Sequence, residues 1–233
     1  MTTKEFEKEK KIIENIKIIK EKIKNASKKA NRNFEEIKLM AVTKTVSPKY
    51  VNVAIENGVN LLGENKAQEL KEKYEHYLKK DVEIHFIGHL QTNKVKDVVK
   101  LVNCIESVDS LKLLETISKF SAKENKIMNV LLEINIGEEE TKFGFKPSEI
   151  LEKIDFISKI PNVKVKGLMS IPPRKNVKDY FEQMRAIYID ISNKKIDNVD
   201  MDFLSMGTSD DFIKAIEYGA NIVRIGRFLF GER

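Results

Sequence analysis

The chain has 233 residues, of which 41% are hydrophobic and 33% are charged, and its formal net charge is +6. This length is typical of one α/β barrel, and the composition provides both an apolar core and a charged surface. The single cysteine, Cys104, excludes an internal disulfide and a cysteine-based metal site and favours a reducing compartment. The charged first residues and the lack of a long apolar window argue against a secretory signal and a membrane-spanning helix, so we expect a cytoplasmic protein without a membrane partner.

The first predicted element is a long amphipathic helix. Five isoleucines recur there at helical spacing: Ile12, Ile13, Ile16, Ile19 and Ile23. We therefore expect a helix over residues 5–30 that packs one face on the rest of the molecule. Lysine and glutamate alternate along this helix and along residues 68–80, which is typical of solvated helix faces. The positive charge is therefore not interpreted as a nucleic-acid surface.

Eight apolar runs follow, and each is predicted to be a strand: residues 37–44, 60–64, 83–89, 104–109, 129–136, 163–171, 202–208 and 221–226. Amphipathic helices are predicted between them at residues 48–57, 66–78, 93–101, 111–125, 147–160, 177–194 and 210–218. Several strands are continuously apolar, as in parallel sheets covered by helices. Eight such units predict an α/β fold, a (β/α)8 TIM-type barrel with an extra N-terminal helix formed by about residues 1–31. A doubly wound open sheet is the alternative. No linker divides the chain, so residues 1–233 are expected to form one domain.

Lys44 is the first candidate functional residue, because it follows a predicted strand and functional groups of barrels collect where strands end. A partly desolvated lysine at that place is available as an amine nucleophile toward an aldehyde. An ordinary strand-end lysine that reaches solvent is the alternative, and Lys44 by itself favours that alternative.

The loops after the seventh and eighth strands form a candidate phosphate site. Barrels frequently bind phosphate there, with backbone N–H groups, hydroxyls and a helix N-terminus. The residues that offer close backbone approach or a hydroxyl are Ser205, Gly207, Thr208, Ser209 and Gly226. The alternative is two tight turns and a helix cap provided by Ser209 or Asp210.

Arg224 lies inside an apolar run, where a charged side chain is costly unless it is paired or points into a polar site. It could pair with a carboxylate, or it could face the pyridine nitrogen of a bound cofactor. His85 and His89 lack a third ligand for a metal, so they are interpreted as barrel or rim residues. His76 is predicted on a helix surface and Cys104 in the core.

Seven segments in the same order resemble the YggS/PROSC family of pyridoxal 5'-phosphate (PLP) binding proteins. They are AVTKTV around Lys44, LLGENKAQE at residues 61–69, HFIGHLQTNK at residues 85–94, EINIGEEETKFGF at residues 133–145, KGLMSIP at residues 166–172, LSMGTSDDF at residues 204–212 and VRIGRFLFG at residues 223–231. The resemblance implies the barrel of the N-terminal domain of alanine racemase, with PLP held as an aldimine on Lys44.

The same resemblance implies roles for further residues. Ser205, Gly207 and Gly226 would hold the phosphate, Arg224 would meet the ring nitrogen, and Asn65 would lie beside the cofactor. Two positions depart from the family pattern. Arg227 replaces a Thr or Ser, so it would pair with the phosphate or turn to solvent, and Thr208 replaces a Met and adds a hydroxyl.

Two functions follow from these observations. The first is a non-catalytic PLP carrier or regulator that supplies PLP-dependent apoenzymes, as the family resemblance implies. Racemisation needs a second acid–base group opposite the lysine, which alanine racemases take from an additional domain, and this chain is not expected to have one. The second is a PLP-dependent amino-acid racemase. The resemblance favours a monomer.

Overall fold

The computed structural model describes residues 3–231, and eight parallel strands in chain order close into one barrel. The strands are β1 (Lys38–Val42), β2 (Leu61–Glu64), β3 (Glu83–Phe86), β4 (Cys104–Val108), β5 (Met128–Glu133), β6 (Val163–Met169), β7 (Val199–Thr208) and β8 (Ile222–Ile225). β1 pairs with both β2 and β8, which closes the sheet. The predicted (β/α)8 barrel is confirmed, and the open doubly wound sheet is excluded.

Nine α-helices are found among residues 3–231: α1 (Thr3–Lys29), α2 (Pro48–Glu56), α3 (Ala67–Lys73), α4 (Val95–Leu101), α5 (Leu111–Lys123), α6 (Pro147–Ile157), α7 (Val177–Lys194), α8 (Phe212–Glu217) and α9 (Arg227–Phe230). Helices α2 to α8 lie between consecutive strands, as βαβ connections require. The predicted N-terminal helix is confirmed as α1. It packs on α2, α8 and α9, and its buried face consists of Ile12, Ile16, Ile19, Ile23, Ala26 and Ser27.

Side chains alternate between two cores along each strand, because successive residues of a strand point to opposite faces. On β1, Leu39 and Ala41 join the large core beneath the helices, whereas Met40 and Val42 pack inside the barrel against Ile222. Cys104 lies in a second interior cluster, as predicted for a core cysteine. The inward-facing positions therefore lead from the packed interior to the rim at the carboxyl ends of the strands.

Several element ends differ from the predicted ones. β1 ends at Val42, so Lys44 lies in the turn beyond the strand. β7 begins three residues earlier than predicted, at Val199, because the charged Asp200, which pairs with Lys164 of β6, interrupts the apolar run there. The short helix α9, which directly follows β8, was not predicted. No helix within residues 3–231 is long and apolar enough to cross a bilayer.

Candidate functional site

A cavity of about 210 Å³ opens at the carboxyl ends of the strands, where β1, β2, β7 and β8 meet. Its lining consists of Val42, Lys44, Asn65, Ile87, Ile171, Thr208, Ser209, Arg224, Gly226 and Arg227. The structure thus brings together six of the eight residues predicted to bind a cofactor. The two that do not line this cavity are Ser205 and Gly207.

Strand alternation explains why Lys44 and Asn65 are neighbours in this cavity. Met40 and Val42 point into the barrel, and Lys44 continues the same alternation two residues later. Val42 is in register with Gly63, so Asn65 follows β2 at the level of Lys44. A Cβ atom on Gly88 would lie 2.1 Å from the backbone oxygen of Asn65, so only glycine fits at the end of β3 beside it.

The backbone at Lys44 is held in a tight turn. The amide of Val46 donates to the carbonyl of Thr43 at 3.0 Å, and Thr45 has a φ of 62°. Nζ of Lys73 donates to the carbonyl of Thr43 at 2.8 Å, and the Glu69 carboxylate accepts from both the Thr45 amide and Lys73. Helix α3 therefore fixes the path of the chain on both sides of Lys44.

A buried carboxylate beneath this turn completes the support. Glu64 points out of the barrel toward α3, where Oε1 accepts from the Thr43 hydroxyl at 2.7 Å and from the Tyr77 hydroxyl at 2.5 Å. Nζ of Lys73 lies 3.5 Å from the same oxygen and provides the counter-charge. Burial and the nearby Glu64 raise the pKa of Tyr77, so its hydroxyl keeps the proton that it donates.

Arg224 forms one wall of the cavity and is itself buried. Nη1 donates to the carbonyl and to the hydroxyl oxygen of Ser205, both at 2.8 Å, and Nη2 donates to the carbonyl of Ser170 at 2.7 Å. Burial lowers the pKa of Arg224, while Glu106 and Glu133 oppose that shift. The side chain forms no direct ion pair with a described residue, and its contacts leave two of its five N–H donors for a ligand.

Arg224 is connected to a buried acid–base pair through Ser205. The Ser205 hydroxyl donates to Oε2 of Glu106 at 2.6 Å, and Oε1 of Glu106 lies 2.6 Å from Nδ1 of His85. Burial raises the pKa of Glu106, but His85 and Arg224 outweigh this effect and lower it, so the carboxylate is ionised. Burial likewise lowers the pKa of His85, but Glu106 and Glu83 outweigh it and raise the pKa. The barrel interior therefore contains the carboxylate that compensates Arg224.

Ser205 and Gly207 lie outside the main cavity, and other contacts explain both residues. The Ser205 hydroxyl is fully buried between Glu106 and Arg224. Gly207 lines a neighbouring cavity and has a φ of +92°, and a Cβ atom there would lie 2.5 Å from Cβ of Ala215 on α8. Glycine is thus required at position 207 for helix packing and backbone conformation.

The side of the cavity that was predicted to bind phosphate is lined by Thr208, Ser209, Gly226 and Arg227. The predicted cap by Ser209 or Asp210 is wrong, because Asp211 occupies that position before α8 and accepts from the amide and the hydroxyl of Thr208 at 2.6 and 3.0 Å. Ser209 instead accepts from the amide of Phe228 at 3.3 Å.

The positions of the three histidines agree with the predicted ones. His85 is buried in the barrel, His89 lies at the rim beside Asp109 and stacks on Phe143, and His76 is exposed. Within residues 3–231, no group of three or more His, Cys, Asp or Glu side chains could hold a metal ion.

Comparison with known proteins decides the family. Residues 13–233 match the family described as alanine racemase, N-terminal domain. A pyridoxal phosphate homeostasis protein of Aquifex aeolicus is 42% identical over 94% of this chain and 97% of its own length. Its counterpart in Escherichia coli K12 is 34% identical over 95% of this chain and 97% of its own length. This chain belongs to the pyridoxal phosphate homeostasis protein family.

Solved structures agree with this membership. PipY of Synechococcus elongatus PCC7942, whose structure was determined with PLP bound, superposes on this family member with a TM-score of 0.80 at 26% identity, over 94% of this chain and all of PipY. A protein of unknown function from Bifidobacterium adolescentis gives a TM-score of 0.90 at 27% identity, covering 98% and 97% of the two chains. Alanine racemase of Corynebacterium glutamicum shares the fold at 13% identity, with a TM-score of 0.76 over 97% of this chain and 62% of the racemase.

The chemical groups that line the cavity of this family member fit PLP. Oδ1 of Asn65 is buried at the cavity and has no hydrogen-bond partner among the described residues, so it is available to a polar ligand. Arg224 offers N–H donors to an unprotonated ring nitrogen, and Thr208, Ser209 and Arg227 offer hydroxyls and a cation to a phosphate. Lys44 adds the amine that an aldehyde needs.

The groups that support these residues were not predicted from the sequence: Glu64, Glu69, Lys73, Tyr77, Glu106 and the pairing of His85. The apolar walls formed by Val42, Ile87 and Ile171 were not predicted either. Strand alternation, which places Met40 inside the barrel, could have predicted that Val42 and Glu106 also face inward. The contacts around Glu64 have no such signal, because they join residues of β2 to a helix surface.

Proposed function

We propose that this protein binds PLP, holds it as an aldimine on Lys44, and stores or supplies it to PLP-dependent apoenzymes without turnover of its own. One observation carries the proposal: a single cavity combines Lys44, Arg224 and the loops after β7 and β8. The membership in the pyridoxal phosphate homeostasis protein family and the PLP-bound structure of PipY support it.

Each residue has a physical role in this proposal. Lys44 presents its amine from a turn that α3 fixes, so little conformational freedom remains to be lost on binding. Arg224 donates to the ring nitrogen, and its positive charge disfavours protonation of that nitrogen. Asn65 receives a polar group of the cofactor at its free oxygen.

The phosphate is proposed to lie against Thr208, Ser209, Gly226 and Arg227. The first residues of α9 follow Gly226, and the first N–H groups of a helix have no partner within the helix. Arg227 pairs with Asp210 at 2.5 Å and is half exposed, so it can turn from that carboxylate to the phosphate. Ser205 and Gly207 are proposed to act indirectly. Ser205 holds Arg224 in place, and Gly207 allows α8 to pack closely.

The proposed absence of turnover rests on the lining of the cavity. Bound PLP supplies an electrophilic carbon and an electron sink. Among the described residues that line this cavity, Lys44 is the one amine, and no carboxylate, histidine or cysteine side chain accompanies it. Racemisation by two bases needs a second acid–base group, on the face of the cofactor opposite Lys44. A carrier needs only Lys44.

Absorption spectra of the purified protein, taken before and after borohydride, test the proposal. We expect a band at about 420 nm that disappears on reduction, with the added mass on Lys44. Lys44→Ala should lack the band, whereas the matched surface variant Lys71→Ala should keep it. A wild-type protein that shows no band after incubation with PLP would refute the proposal.

Two further measurements separate a carrier from a racemase. Transfer of PLP to an apoenzyme is expected from the loaded wild-type protein and is followed by the activity that the apoenzyme regains. Steady conversion of L-alanine to D-alanine that is lost in Lys44→Ala would instead establish the racemase. We also propose that the protein acts in the cytoplasm as a monomer, which sedimentation of the loaded protein tests.

A further inference from the structure

A second cavity, of about 280 Å³, lies beside the cofactor cavity at the same end of the barrel. The two cavities share three lining residues, Asn65, Ile87 and Ile171. The rest of the second lining comes from the ends of β3 and β5 and from the loop after β5, and it includes Glu133. A molecule in the second cavity would therefore lie next to the cofactor. We call it the Glu133 cavity.

Glu133 is the last residue of β5 and is directed into this cavity. It lies two residues after Leu131, which packs inside the barrel, so strand alternation turns both side chains inward. The Glu133 carboxylate makes no hydrogen bond or ion pair with any residue from 3 to 231. A partly buried carboxylate that faces a cavity and has no partner among the described residues is a candidate for a functional role.

The surroundings of Glu133 contain charges of both signs. Asp109 follows β4, Arg224 lies on β8, and His89 and Lys142 line the same cavity. Burial, followed by the negative charge of Asp109, raises the pKa of Glu133 to about 7, and Arg224 opposes part of this shift. Asp109 is itself engaged with Nδ1 of His89 at 3.1 Å, and Lys142 with Glu139.

We propose that the Glu133 cavity binds primary amines through their ammonium group and that Glu133 takes a proton from this group beside the cofactor. This inference rests on the proposed function, because it concerns the molecules that approach PLP held on Lys44. The binding step requires only an ammonium ion and an unpaired carboxylate in a partly dry cavity, which is a charge-assisted hydrogen bond.

The proton transfer is a simple acid–base step. One N–H bond of the ammonium group breaks, its electron pair stays on nitrogen, and the proton forms an O–H bond with the carboxylate of Glu133. The neutral amine then has the lone pair that addition to an electrophilic carbon requires. A carboxyl group that titrates near neutral pH is suited to this exchange in both directions.

The first experiment mixes the PLP-loaded protein with alanine at about pH 7.5 and follows the absorbance of the bound cofactor by stopped flow. We expect Glu133→Gln to react at least ~10-fold more slowly than wild type and to lose the dependence on a group titrating near neutral pH. The matched control is Glu140→Gln, an exposed carboxylate of the same loop, which should react at the wild-type rate. A Glu133→Gln protein with the wild-type rate and pH profile would overturn the proposal.

The second experiment uses the cofactor-free protein, so it does not depend on PLP. The carboxyl carbon signal that disappears in Glu133→Gln is followed by ¹³C NMR during addition of propylamine, with propanol as an uncharged control. We expect propylamine to shift this signal above about pH 7 and propanol to leave it unchanged. A signal that does not respond to propylamine at any pH would contradict amine binding. Should wild type lack the band at about 420 nm, the proposed function fails, while this measurement still decides the Glu133 cavity.

An ammonium group can come from a free amino acid or from a lysine side chain. Alanine and the amide of Nα-acetyllysine separate these sources in the stopped-flow experiment. A Glu133-dependent reaction with either compound supports the proposal, and the faster of the two identifies the source. If neither reaction depends on Glu133, the proposal is wrong.

Discussion

The replacement of Glu133 by Gln should make the protein more stable at alkaline pH, although it removes a charge from a polar cavity. The folded protein raises the pKa of this carboxyl from its ordinary 4.5 to about 7, mainly through burial. The folded state therefore binds the proton more tightly than the unfolded state does. The resulting stabilisation is fully present below about pH 4.5 and is lost as the pH rises to about 7.

The size of this effect follows from the pKa difference. Each unit corresponds to about 1.4 kcal/mol, so the wild-type protein should lose about 3 kcal/mol between about pH 4 and about pH 8 through this group. Glutamine does not titrate and avoids that loss. The difference in unfolding free energy, variant minus wild type, should therefore be about 3 kcal/mol larger at about pH 8 than at about pH 4.

Urea unfolding of the cofactor-free proteins, followed by circular dichroism at both pH values, gives this difference. Because each variant is compared with itself at two pH values, a constant packing effect of the glutamine cancels. The control Glu140→Gln should show the same offset from wild type at both values. A Glu133→Gln offset that changes by less than about 0.5 kcal/mol between the two pH values would mean that the folded state does not raise the pKa of Glu133.

Two further predictions concern the interior of the barrel and the first helix. Glu106→Gln should lower the unfolding free energy by about 3–5 kcal/mol, because Arg224 would be left as an uncompensated buried charge; a loss below about 1 kcal/mol in urea unfolding would contradict this. Ile19→Ala should lower the unfolding free energy by about 2–5 kcal/mol, because the Ile19 side chain is fully buried on the inner face of α1. Ile18→Ala, on the exposed face of the same helix, should change it by less than about 1 kcal/mol. Equal losses in the two variants would mean that α1 does not pack as described.

The unpaired state of Glu133 connects stability with function. A glutamine at this position would avoid the loss at alkaline pH, and the structure offers no packing reason for a carboxylate there. Proteins often retain such destabilising groups where a ligand needs them. The carboxylate of Glu106 is the opposite case, since it is compensated by Arg224 and by His85 at 2.6 Å. The fully buried Glu106 and the partly buried Glu133 therefore have different roles, which their partners define.

The barrel was predictable because its signals are local. Eight apolar runs alternate with amphipathic helices, and this alternation survives errors of a few residues at each end. Several predicted strands end later than the observed ones, as at Lys44, where the observed strand already ends at Val42. The polarity of a side chain does not show where the hydrogen bonds between neighbouring strands stop. The short helix α9 was missed because four residues are too few for a helical period.

The candidate site was predictable in part. Lys44, Asn65 and Arg224 carry a signal in the sequence, either as strand-end residues or as parts of family motifs. The side predicted to bind phosphate was harder, because Ser205, Thr208 and Ser209 are all hydroxyl residues close together at the end of β7. The contacts of Ser205 with Glu106 and Arg224, and the irregular register of β7 between Ser205 and Thr208, separate the buried Ser205 from the two residues that line the cavity.

The sequence by itself determined the alternation of strands and helices, and it carried the family motifs around Lys44, because both reside in short stretches of chain. The tertiary structure decided which groups meet. Ser205 and Glu106 are 99 residues apart in the chain and touch only because the closed barrel brings β4 and β7 to one interior. The lack of a partner for Glu133 is likewise a property of the assembled rim. Burial and distance set the charge and pKa of such groups, and both arise only when the strands close.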